Sequence, residues 1–321
     1  MTGRDLALGV RIDSWLFEPA PAERLAVLRI LVGAFSVTYL AVRLPVFLAL
    51  AERQGQLDPV GLLWWLAEPL SSGLVVAWVI AMLVVGVAFT AGVAPRASGP
   101  CFAVGVALAA TYRSSWGQVL WLENLMVLQL LIVAFSANAD AWAASRRTER
   151  PPTEPSAAYG WPVRLAALVT VATYVLAGVT KLRVGGLDWM LGDTLRNHIA
   201  YSAARLELFG EASSPLSRSV VQLGSWLRPF AVLAVLIELA APVALVGGRL
   251  RTTWTVLAWT MHAAIAALLF VVFPFPLAGV AFACFYRLEH LPGSVRRLPA
   301  QLRSLGRGGT PTNPIGGPAS W

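Results

Sequence analysis

Charge is scarce in this chain. Of its 321 residues only 13% are Asp, Glu, Lys or Arg, about half the share usual in soluble domains. Too few charged groups remain to cover a soluble surface of ordinary extent. Cysteine and histidine are nearly missing as well. Cys101 and Cys284 stand far apart in apolar surroundings, so neither a disulfide framework nor a paired zinc-ligand spacing is present. With only three histidines besides, no transition-metal centre is expected. No glycine-rich loop introduces a helix in a soluble context, which removes nucleotide chemistry. Basic residues outnumber acidic ones, 25 to 17, but they fall in short loops and in the C-terminal stretch. They form no stripe with interleaved aromatics, and nucleic acid is not an expected partner. The cleavable pattern of a secretory signal is also lacking, because Asp5, Asp13 and Glu18 interrupt the N-terminal residues.

Apolar residues fill the space those absences leave. They make up 57% of the chain, with 13 tryptophans, and several uninterrupted runs approach the roughly 20 residues that cross a bilayer as a helix. The run from 73 to 94, GLVVAWVIAMLVVGVAFTAGVA, is the cleanest. These features predict an all-α polytopic integral membrane protein with about eight transmembrane helices, at 25–42, 73–94, 100–114, 119–137, 163–182, 229–246, 252–271 and 276–290. An even number of spans puts both termini on one side. Arg96, Arg146, Arg147, Arg150, Arg249 and Arg251 fall in loops on that side, together with Arg296, Arg297, Arg303 and Arg307 of the tail. The positive-inside rule makes that side the cytoplasm, and the expected location is the cell membrane. Residues 1–15 are then a cytoplasmic segment, 16–291 a membrane domain and 292–321 a disordered basic cytoplasmic tail rich in Gly, Pro, Arg and Ser. The connection 183–228 is external, and its stretches 187–208 and 216–227 are expected to form amphipathic helices on the outer face. Residues 54–68, with Trp64 and Trp65, are expected to do the same and help to roof a cavity from outside.

Ionisable side chains inside such spans are costly unless paired, hydrated or able to reach the interface. Five qualify: Arg29, Glu123, Lys181, Glu238 and His262. Lys181 ends an outward-running span and can either snorkel to the headgroups or turn its amine into the bundle. Tyr174, Gly178 and Lys181 recur at four and three residues and so share one helix face, where a glycine permits close approach of a neighbour or a flat ligand. A lysine desolvated on that face could serve as a general base. Glu238 and His262 lie near mid-membrane, at similar depth, and are expected to face the interior. Glu238 is read either as an ion pair with Arg29 or a helix-to-helix hydrogen bond, or as a proton relay or ligand contact. His262 is read either as a packed, neutral histidine or as an active one. Arg29 otherwise anchors its span, and Glu123 with Asn124 caps another at the membrane edge.

The ordered stretches LAVLRILVG around Arg29, YRSSWGQVLWLENLMVLQLLIVAFS at 112–136, YGWPVRL at 159–165 and YVLAGVTKLRVGGLDWMLGDTLR at 174–196 carry a resemblance. Glu238 in LIELAAP and His262 in the seventh run extend it. Over residues 16–288 the chain resembles the horizontally transferred transmembrane domain family, which is similar to the membrane domain of vitamin K-dependent gamma-carboxylase. The most specific element is AGVTKL followed by Trp189 and Gly192. The resemblance implies that Lys181 is the base acting on a reduced quinone, menaquinol or vitamin K hydroquinone, with Glu238 and His262 as further catalytic groups. It also implies that Arg29, Glu123, Tyr174, Gly178 and Trp189 hold that cofactor. Four departures stand beside it, the first being that the His262 segment lacks the asparagine and serine that follow in the carboxylase. Thr180 replaces one lysine of the carboxylase's pair, Trp121-Leu122-Glu123-Asn124 stands where the carboxylase has a histidine, and the carboxylase's large external peptide-binding domain has no counterpart.

The function expected from these readings is a quinol-dependent oxygenase or carboxylase-like membrane enzyme, with the lipid bilayer and a small protein or peptide as partners. A scaffold or accessory subunit for maturation or export of another protein is the alternative. A transporter would call for inverted repeats or broken helices in both halves.

Overall fold

A computed structural model describes residues 12–52, 57–117, 122–146 and 152–290. The expected N-terminal segment up to residue 11, the tail 292–321, Trp121, Arg147 and Arg150 lie outside the described residues. Among the described residues the fold is all-helical, and the only β-type pairing is an isolated antiparallel bridge between Ala20 and Ser156.

The chain forms α1 (Ala22–Val42), α2 (Leu44–Glu52), α3 (Ser72–Ala91), α4 (Pro95–Ser114), α5 (Asn124–Ala134) and α6 (Ala157–Gly185). It continues with α7 (Asp188–Leu191), α8 (Thr194–Leu208), α9 (Pro215–Val221), α10 (Arg228–Leu239), α11 (Gly248–Leu269) and the single turn α12 (Pro274–Leu277). Local chemistry sets the ends. The Ser156 hydroxyl accepts from the Ala158 N–H at 3.2 Å and starts α6. Gly92, at φ 72°, closes α3 in the left-handed conformation that glycine adopts without penalty. Pro95 sits in the first turn of α4, where its missing N–H costs nothing.

Four helices, α1, α3, α6 and α11, are long and apolar enough to cross a membrane, and they cover four of the expected runs. A fifth is reached if α9 and the helical stretch 224–239 are taken as one span bent by 114°. α4 matches these in length but carries Arg96 and Arg113 and is not among them. The remaining expected runs are shorter helices or broken ones. The run 119–137 contains the 11-residue α5. The run 229–246 is α10 followed by a tight 3-10 stretch, Ala241–Leu245, because Pro242 has no N–H to return to the carbonyl four residues earlier. The run 276–290 follows Pro274 and breaks at Gly279, φ 75°, into 3-10 turns at Val280–Phe285 and Leu288–His290. Of the expected outer-face helices, 187–208 holds α7 and α8, and 216–227 holds most of α9 and a 3-10 turn at Gly224–Leu227. Residues 57–68 form only the turn Gly61–Leu63, leaving Trp64 and Trp65 exposed.

α1 is the central packing element, touching α3, α5 and α6, while α6 also packs along α10. Irregular backbone is held by buried polar side chains. Gln129 of α5 donates to the Ala281 carbonyl at 3.0 Å and to Thr170 Oγ1 at 2.8 Å. Trp254 donates its indole N–H to the Ile237 carbonyl at 2.9 Å, where α10 ends. The last carbonyls of α11, at Ala267, Leu268 and Leu269, accept the hydroxyls of Ser214, Ser217 and Ser202 at 2.6, 2.7 and 2.7 Å. Three groups that a helix end leaves open are thereby filled from α8, α9 and the residue before α9. That clip fixes the 194–221 region to the end of α11.

Candidate functional site

Lys181 lies one turn before the end of α6, and the helix stops at Gly186, whose φ of 58° turns the chain back. The turn brings Trp189 of α7 beneath the lysine, with Nζ 5.3 Å from the indole centroid. A cation over an indole face at this distance is attracted by the ring's quadrupole. The amine also donates to Glu238 Oε1 at 2.5 Å. Glu238 comes from the last turn of α10, so the pair joins two helices 57 residues apart in sequence. The two side chains are unequally covered, 26% exposed for Lys181 and 7% for Glu238. The lysine is the half of the pair with access from outside.

Gly178 explains how the helices come this close. A Cβ at that position would lie 2.9 Å from the Leu239 side chain and 3.1 Å from Glu238 Cβ. Its role is to admit α10, in agreement with the close approach read from its place on the Lys181 face. One turn further back, Tyr174 donates to or accepts from His262 Nε2 at 2.7 Å. Both residues are buried, and the rings of Trp254, Phe273 and Phe282 surround the pair. His262 is therefore a hydrogen-bonded histidine in an aromatic setting, facing inward as expected.

Two buried polar atoms in this region have no partner among the described residues, Glu238 Oε2 and His262 Nδ1. An unmet carboxylate oxygen is an acceptor for a hydroxyl or amine, and leaving it bare costs about 1–3 kcal/mol. The chain thus holds a proton-carrying pair with one open acceptor, next to an indole face.

Arg29 and Glu123 form separate groups. Arg29 is fully buried and donates to the Asn138 and Trp142 carbonyls at 2.6 and 2.7 Å. The expected alternative in which Glu238 pairs with Arg29 is replaced by the Lys181 pair, because α10 meets the last turns of α6 while Arg29 points at the loop after α5. Glu123 is bound by Arg113 and by the Tyr39 hydroxyl, and Arg113 reaches Tyr39 at 3.0 Å. The capping role expected of it is corrected: Glu123 stands before α5 but its side chain makes no capping hydrogen bond, because the carboxylate is held as an ion-paired acid between α1, α4 and the start of α5. Arg113 escaped the sequence reading although it stands in the quoted YRSSW stretch, ten residues before its partner. Gln129 and Thr170, neutral polar residues inside apolar runs, were equally visible there as buried polar groups in search of partners. No family model, curated protein or solved structure matches this chain.

Proposed function

We propose that this chain is a membrane enzyme of the quinol-dependent oxygenase or carboxylase-like class, in which Lys181 and Glu238 act together as the base. The observation that carries the reading is the 2.5 Å contact between a partly exposed amine and a buried carboxylate whose second oxygen is open. The resemblance of AGVTKL and its following Trp189 and Gly192 to the carboxylase family supports it. The eight-span arrangement, with both termini cytoplasmic and 183–228 outside, belongs to the same proposal, as does placement in the cell membrane.

The residues present suit a reduced quinone. Glu238 Oε2 would accept a ring hydroxyl, and Trp189 would lie against a flat ring. Gly178 brings α10, and with it Glu238, close to the Lys181 face, and Tyr174 and His262 lie one turn deeper. A bound reduced quinone supplies the electrons for oxygenation and, through it, the strong base that takes a proton from the substrate. The protein's own part is proton holding. An isolated Lys–Glu ion pair already has its proton on nitrogen, so Lys181 alone has no capacity to accept another. The pair as a unit does. Taking up one proton converts the neutral pair, ammonium with carboxylate, to ammonium with carboxylic acid, a net charge of +1. That charge faces the anion left by the donor and stabilises it most where water is excluded. The unmet Oε2 is the atom at which that proton is received.

A scaffold role has one observation in its favour: the same pair ties α6 to α10 and would do so without chemistry. Extraction of the purified protein with organic solvent, followed by absorbance spectroscopy, separates the two. The enzyme reading requires about one quinone per chain under mild purification. Quinone-free protein that also takes up none when menaquinone is added supports the scaffold.

A further inference from the structure

We propose that the groove between α11 and residues 279–286 binds one anionic glycerophospholipid, its acyl chain along the groove and its phosphate on Arg251 and Arg287. The groove has a volume of about 240 Å³ and is lined by Thr255, Val256, Trp259, Phe282, Ala283 and Tyr286. It exists because Gly279 and the 3-10 turns after it prevent this segment from lying as a straight helix against α11. Trp259 fixes the far wall by donating its indole N–H to the Leu277 carbonyl at 2.9 Å.

Within this apolar trough one polar atom is unmet: the buried Thr255 Oγ1 has no partner among the described residues. A hydroxyl there is suited to the ester carbonyl of a glycerolipid, which offers an acceptor between its apolar chain and its charged headgroup. Arg251 stands four residues earlier on the same helix, hence on the same face and about 6 Å along the axis. At the same end Arg287 follows Tyr286 directly. Trp254 and Phe285, three residues after Arg251 and two before Arg287, bring the two strands of chain together with ring centroids 5.8 Å apart.

Among the described residues no acid balances the charge at this mouth. Arg251 spends its Nε on the Ala244 carbonyl at 3.4 Å, and no acidic side chain pairs with Arg249, Arg251 or Arg287 among the described residues. The two acids at this end are engaged elsewhere, Glu289 by Arg24 at 2.6 Å and Glu18 by Arg164. An apolar slot flanked along the chain by Arg251 and Arg287, neither paired with an acid among the described residues, complements one ligand chemistry, an acyl chain joined to a phosphate of net negative charge. A zwitterionic lipid brings its own cation to the same arginines and gains less.

Native mass spectrometry of the full chain, released from micelles containing equal phosphatidylglycerol and phosphatidylcholine, tests this. One phosphatidylglycerol should remain per chain, favoured about ten- to thirtyfold, since each arginine near the headgroup contributes roughly a factor of five. Arg251→Gln with Arg287→Gln should bring the two lipids to parity. Val256→Trp, a substitution at an exposed position lining the groove, should remove both. Equal retention of the two lipids by the unaltered protein overturns the proposal, as does a preference unchanged in the double variant. Failure to retain any lipid, with the groove filled by the chain's own last residues or by a second copy seen as a dimer, overturns it too.

Discussion

Lys181 and Glu238 differ in what each leaves behind when the other is removed. Without Glu238, the lysine keeps its exposed quarter and its indole neighbour and reaches water at little cost. Without Lys181, the carboxylate is left in an apolar setting with neither oxygen paired. Breaking a buried pair in this direction costs about 3 kcal/mol, against about 1 kcal/mol for the exposed direction. Lys181→Met should therefore lower the melting temperature in detergent distinctly more than Glu238→Gln. Lys181→Met combined with Glu238→Leu should recover most of the loss, since the apolar replacement removes the stranded charge. Equal effects of the two single substitutions would contradict the burial asymmetry. Part of this was legible beforehand. The shared face of Tyr174, Gly178 and Lys181 follows from helical spacing, and the inward direction of Glu238 and His262 follows from the cost of charge in an apolar run. The partners did not follow, because equal depth in two helices says nothing of which helices are neighbours. Arg29 was the obvious counter-ion for Glu238 by charge, yet its guanidinium is spent on two backbone carbonyls.

At the scale of elements, long apolar helices were readable from composition, while their interruptions were less so. Pro242, Pro274 and Gly279 are plain in the sequence, but an apolar run containing proline can be a kinked span or a set of short turns. What decides is whether the freed backbone groups find partners. Here Gln129, Trp254 and three serines supply them, from positions distant in sequence. In lipid such irregular backbone is tolerated only where it is enclosed by protein, and residues 281–285 are all buried. The serine clip makes a prediction of its own. Each hydroxyl on an open α11 carbonyl contributes about 1 kcal/mol, so replacing Ser202, Ser214 and Ser217 together by Ala should loosen the clip by about 2–3 kcal/mol. In hydrogen exchange, amides of 194–221 should exchange faster while those of α1 and α3 stay unchanged. A uniform acceleration across the chain would mean that the clip supports the whole fold; no change would mean that packing alone holds the segment.

At the scale of the whole molecule, the proposed orientation would put the Lys181 pair, near the end of α6, on the external side and the arginine-flanked mouth of the α11 groove on the cytoplasmic side. Cysteine labelling checks this orientation directly. With Cys101 replaced, because it is exposed, a probe cysteine near residue 210 should react with an impermeant maleimide added to intact cells. A probe near Arg146 should react only after permeabilisation. The reverse pattern would move the pair to the cytoplasmic face and remove the orientation on which the carboxylase comparison depends.

The central claim is that the Lys181–Glu238 pair takes up a proton from a reduced quinone. Its most direct measurement is the oxidation of added menaquinol by purified protein, per folded and quinone-loaded chain, in the unaltered protein and in Glu238→Gln, which removes the oxygen that receives the proton. Turnover is predicted to fall by about a hundredfold or more, the usual contribution of a positioned base, while bound quinone per folded chain stays the same. Undiminished turnover in folded, quinone-loaded Glu238→Gln would contradict it.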